Sequence, residues 1–66
     1  MPLIQVTLLE GRTPEQKRKL AQRLTTAAAE ELGAKPESVV ITMVEVPPSN
    51  YAMGGVLMLD KGKPKT

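Results

Sequence analysis

Apolar and polar positions alternate through the first stretch of the chain. From Leu3 to Leu9, the side chains of Ile4, Val6 and Leu8 fall on one face and Leu3, Gln5, Thr7 and Leu9 on the other. That period of two predicts a β-strand. Glu10-Gly11-Arg12 reads as a turn, and beyond it the period changes. Leu20, Leu24, Ala27, Ala28 and Leu32 recur at spacings of three and four, which predicts one apolar stripe on a helix from Pro14 to Leu32. The small Ala27 and Ala28 suit close approach to a sheet. The helix start is written in Thr13-Pro14-Glu15-Gln16. Thr13 is a capping hydroxyl, Pro14 fits the first helical position, Glu15 complements the dipole and Gln16 completes a capping box. Gly33 is a natural stop, and residues 35–38 form a connecting turn.

Residues 39–46 (Val-Val-Ile-Thr-Met-Val-Glu-Val) predict a second strand, apolar on both faces as a strand covered on two sides would be. Strand, long helix and strand imply a βαβ crossover with parallel strands. The rigid polar turn of residues 47–50 leads to Tyr51, and the paired Gly54-Gly55 predicts a bend followed by a short strand ending near Met58. The fold class is therefore α/β. One βαβ domain spans residues 1–60, and a Lys-rich tail over residues 61–66 is expected to be flexible.

Size makes this fold incomplete. A chain of 66 residues buries only about 60% of its unfolded surface and generally needs a staple. The sequence has no Cys for disulfides and no Cys or His for zinc. Phe and Trp are also absent, so Leu, Ile, Val, Ala and Met must form the core. One helix cannot cover both faces of two strands, and the remaining staple is association with further copies of the chain.

The net charge of +2 suggests nucleic acid until its distribution is read. Lys61, Lys63 and Lys65 lie in the last six residues, and without them the body carries −1. Tyr51 is the only aromatic residue, so no platform for stacked bases exists. No nucleic-acid partner is expected. With no long apolar segment and no signal-like start, no membrane partner is expected either, and the chain reads as cytoplasmic.

Few groups remain to carry chemistry: the Pro2 nitrogen, Arg12, Tyr51, the carboxylates and the lysines. If Met1 is removed, Pro2 becomes a secondary amine at the head of a strand. An α-amino group titrates near ~7.7–8, and slight desolvation or one nearby cation brings it to the range of a general base. Proline at this position is also common where it has no role. Arg12 follows the same strand, whose seven residues span roughly 23 Å. If Pro2 and Arg12 share a site, Arg12 comes from a neighbouring subunit; otherwise it is a solvated turn residue.

These residues carry a resemblance. Met-Pro, an apolar strand, Leu9-Glu10-Gly11-Arg12-Thr13-Pro14-Glu15-Gln16-Lys17, then Ser38-Val39 and Asn50-Tyr51-Ala52-Met53-Gly54-Gly55, are similar to the 4-oxalocrotonate tautomerase family. The likeness covers nearly all of the chain except the tail. It implies a βαβ fold with a short C-terminal hairpin, completed by oligomerisation as a hexamer, a trimer of dimers. It implies cofactor-independent isomerisation of a small anionic substrate, an enol or unsaturated 2-oxo acid such as 2-hydroxymuconate, and with it a place in aromatic catabolism. Pro2, after methionine removal, would be the catalytic base. Arg12 would hold a substrate carboxylate from another subunit, and Tyr51 would stand where an aromatic residue forms the pocket wall.

One position departs from the family. Its better-known members carry a second arginine early in the second strand, and the register through Ser38-Val39 puts Val40 there. A valine neither donates hydrogen bonds nor holds charge, so a preference for monocarboxylates is expected. Asn50 and the Tyr51 hydroxyl are candidates for the missing donor, and equally a turn residue and a wall. The alternatives are a small-acid hydratase or dehalogenase and a non-catalytic oligomeric scaffold on the same fold.

Overall fold

The computed structural model describes residues 1–61. Residues 62–66, most of the expected Lys-rich tail, lie outside the described residues. Strand β1 (Leu3–Leu9) leads through a turn to helix α1 (Pro14–Leu32), and strand β2 (Val40–Val46) returns beside β1. A hairpin of β3 (Ala52–Met53) and β4 (Val56–Leu57) follows.

The local reasons are those written in the chain. Thr13 is extended, and its hydroxyl accepts the Gln16 N–H at 3.2 Å while the Gln16 side-chain oxygen accepts the Thr13 N–H at 2.9 Å. Two N–H groups that an open helix end leaves orphaned are thus satisfied reciprocally. Gly33 ends the helix in the left-handed region at φ 67°, where a side chain would be strained. Gly54 and Gly55 have φ of 61° and 83°. Positive φ at both central residues is the two-residue turn whose twist matches antiparallel strands.

β1 and β2 are parallel and in register from Leu3 beside Val40 to Leu9 beside Val46. The Val40 N–H donates to the Pro2 carbonyl at 3.0 Å at one end, and the Glu10 N–H to the Val46 carbonyl at 2.9 Å at the other. Ile4, Val6 and Leu8 with Ile41, Met43 and Glu45 make the side facing the helix, and the five apolar ones are half-buried. Leu3, Gln5, Thr7, Val40, Thr42 and Val44 on the opposite side are exposed.

Four details differ from the sequence expectation. The helix stripe centres on Ala28, flanked by half-buried Leu20, Ala21, Leu24 and Thr25, while Ala27 is exposed. Ala27 is rotated ~100° from Ala28 about the helix axis and so leaves the sheet side. Leu32 lies in the last turn, where none of the described residues covers it, and is 69% exposed. β2 begins at Val40 rather than Val39, because Val39 closes the 3₁₀ turn Pro36–Ser38 by donating to the Pro36 carbonyl at 3.2 Å. At the far end Met58 is not in a strand. It opens a 3₁₀ turn, Met58–Asp60.

Candidate functional site

Parallel strands decide where the expected site residues go. Pro2 immediately precedes β1, is half-buried, and is tied to Val40 through its carbonyl. Pro2 and Val40 therefore meet at the N-terminal ends of the two strands. Arg12 lies past the C-terminal end of β1, exposed, in a shallow hollow lined by Leu8, Gln16, Lys17 and Leu20. The length of β1 separates these two places by roughly 23 Å. One chain does not bring Pro2 and Arg12 together.

Asn50 and Tyr51 follow the C-terminal end of β2. Asn50 closes the 3₁₀ turn Pro48–Asn50, with its N–H on the Pro47 carbonyl at 2.8 Å and its side-chain oxygen accepting from the Ser49 hydroxyl at 3.5 Å. Tyr51 is half-buried, and its carbonyl accepts the Met58 N–H at 2.6 Å. The Tyr51 phenol makes no hydrogen bond among the described residues.

The charges around Arg12 are sorted by pairing. Lys17 forms an ion pair with Glu45 of β2, and Arg18 one with Glu15 at 3.4 Å. Of Arg12, Lys17 and Arg18, only Arg12 has no carboxylate partner among the described residues. Its guanidinium, five donors in a planar fork beside the apolar Leu8 and Leu20, is suited to an external carboxylate. Gln16, Lys17 and Glu45 were not legible as part of this place from periodicity alone. The available signal was Glu45, a charge in register with Ile41 and Met43 on the helix-facing side of β2. Among the described residues, no cluster of His, Cys, Asp or Glu could hold a metal ion. No helix among them is long and apolar enough to cross a membrane.

The family model described as tautomerase enzyme matches residues 2–61, strand to hairpin. The chain belongs to the tautomerase family. The 2-hydroxymuconate tautomerase of Bacillus subtilis (strain 168) is 42% identical over 60 residues, 91% of this chain and 97% of that protein. Among solved structures, TomN, a 4-oxalocrotonate tautomerase homologue of the tomaymycin biosynthetic pathway, superposes with a TM-score of 0.89 at 43% identity, covering 91% of this chain and 92% of its own. A heterohexameric 4-oxalocrotonate tautomerase from Chloroflexus aurantiacus J-10-fl gives 0.88 at 39% identity, over 92% and 98%. This tautomerase is thus an enzyme of the isomerase class, with the βαβ-plus-hairpin fold of its relatives.

Proposed function

We propose that this tautomerase uses the secondary amine of Pro2, freed by removal of Met1, as a general base that moves a proton within the enol of an unsaturated 2-oxo acid. The observation that carries the proposal is the position of Pro2 at the open N-terminal end of a strand pair, with Met1 94% exposed and accessible to an aminopeptidase. A free α-amino group titrates near ~7.7–8, so an appreciable fraction is neutral and basic at physiological pH.

The amine accepts the enol hydroxyl proton as the C2–O bond gains carbonyl character. The ammonium so formed returns that proton to a carbon of the conjugated chain. Only π bonds shift and one proton moves, so the reaction is written without a cofactor. The substrate carboxylate is held by Arg12 of a neighbouring subunit, since Arg12 of the same chain lies at the far end of β1. Tyr51 supplies a pocket wall, and Asn50 or the Tyr51 hydroxyl a hydrogen bond to the 2-oxo oxygen. Val40 beside Pro2 offers no cation to a second carboxylate, which favours monocarboxylate enols over 2-hydroxymuconate. The composite site requires assembly, and we propose a hexamer built from three dimers, in keeping with the hexameric relative.

Mass spectrometry of the purified protein tests the first step by reading whether Met1 is gone. A variant that retains one residue ahead of Pro2 has an amide where the base should be. It is expected to assemble normally and to lose essentially all turnover of a 2-oxo acid enol. In the processed enzyme kcat/KM should rise with pH through one ionisation, as the ammonium loses its proton. Undiminished turnover by the extended variant would refute the Pro2 mechanism.

A further inference from the structure

The helix-facing side of β2 is apolar at Ile41 and Met43 and then carries the Glu45 carboxylate. Glu45 receives an ion pair from Lys17, with side chains 34% and 29% exposed. Lys17 also lines the hollow of Arg12, above Leu8 and Leu20. Two cationic side chains therefore border one hollow, and only one of them, Arg12, is uncompensated among the described residues. We propose that Glu45 is a specificity-determining residue: by holding Lys17, it makes the Arg12 hollow a receptor for one carboxylate rather than two. This inference rests on the reading of Arg12 as the carboxylate ligand.

The physics is local. An ammonium already paired with a carboxylate presents little net charge to a third group a few ångströms away. The carboxylate of Glu45 itself repels a second anionic end of a ligand. Removing only the charge of Glu45 leaves Lys17 free to turn its three donors into the hollow. Partly exposed pairs of this kind are modest in strength, so the expected gain for the second carboxylate is about fivefold.

A matched pair of six-carbon diene acids provides the probe: muconate with two carboxylates and sorbate with one. Their dissociation constants are measured calorimetrically on the assembled protein. For Glu45→Gln, binding of muconate is expected to tighten about fivefold relative to sorbate, whereas Glu45→Asp, which keeps the charge, leaves the ratio near that of the unaltered protein. Lys17→Met, which keeps the apolar stem and bares the Glu45 carboxylate, is expected to move the ratio the other way. It remains informative should Glu45→Gln fail to assemble. Equal effects on both acids, or an unchanged ratio in Glu45→Gln and Lys17→Met, would overturn the role of Glu45. Arg12→Ala separates the two readings. If it weakens both acids while the ratio ignores Glu45, only the present inference fails. If it weakens neither, the Arg12 assignment fails and this inference with it.

Discussion

The Val40 side chain stands 39% exposed on the uncovered side of the sheet, and its backbone N–H is bonded to the Pro2 carbonyl. On the proposed reading, a substrate held at Pro2 meets an aliphatic group at Val40. A dicarboxylate placed against it keeps one anion without a protein partner, and desolvating such a group is costly. Val40→Arg supplies that partner on a backbone position already fixed by the sheet. Because a hydrogen bond to a charged group is worth about 1.5–3 kcal/mol, kcat/KM for 2-hydroxymuconate is expected to rise about tenfold or more relative to an aryl 2-oxo acid enol. Side-by-side kinetics on the two substrates check this. Efficient 2-hydroxymuconate turnover by the unaltered protein would show that Asn50 or Tyr51 already fills the role.

Apart from Glu15 in its first turn, helix α1 carries charges that oppose its own dipole. Lys17, Arg18 and Lys19 lie in its first half, Glu30 and Glu31 near its end, and the last turn has no basic residue. Positive charge near the N-terminus and negative charge near the C-terminus are each unfavourable by a few tenths of a kcal/mol or more. The N-terminal capping box and the Gly33 stop offset this. Thr13→Ala removes the hydroxyl that accepts from the Gln16 N–H and is expected to lower stability by about 1 kcal/mol per chain. Arg12 immediately precedes the cap, so fraying there should also raise KM for anionic substrates while kcat changes little. Urea unfolding together with steady-state kinetics would measure both. Unchanged KM at clearly reduced stability would mean that the cap does not orient Arg12.

With Ala28 the only buried residue among those described, one copy has no core adequate to hold it folded by itself. Its Cα radius of gyration is 15.9 Å, against about 11 Å for a compact domain of this length. Leu3 at 67%, Val44 at 42%, Met53 at 54% and Val56 at 47% exposure mark what the chain leaves bare: the outer side of the sheet and the hairpin. A second copy would cover the bare apolar side chains and, on the proposed mechanism, bring an Arg12 near a Pro2. Val44→Glu puts a charge at the centre of that bare side. Sedimentation should show loss of the proposed assembly, and circular dichroism should show loss of helix in the same sample, since a single copy leaves this side of the sheet bare. A variant that stays assembled and helical would show that this side of the sheet is not an interface.

Local structure was legible in the chain because its causes are local. The period of two in Leu3–Leu9 and the capping signal at Thr13 act within a few residues, as do the stop at Gly33 and the Gly54-Gly55 turn, and each stands where the sequence places it. The family was legible too, since Leu9-Glu10-Gly11-Arg12 behind a position-two proline is carried by the order of residues alone. What needed tertiary structure was every fact that depends on which element lies over which. The helix turns Ala28 rather than Ala27 to the sheet, a choice its own periodicity leaves open because both lie along the apolar stripe. Lys17 meets Glu45 across 28 positions of sequence because the parallel return of β2 brings its C-terminal end beneath the start of the helix. The same return sets Pro2 beside Val40 and leaves Arg12 at the opposite end. Strand polarity alone thus divides the candidate site between the two ends of one chain.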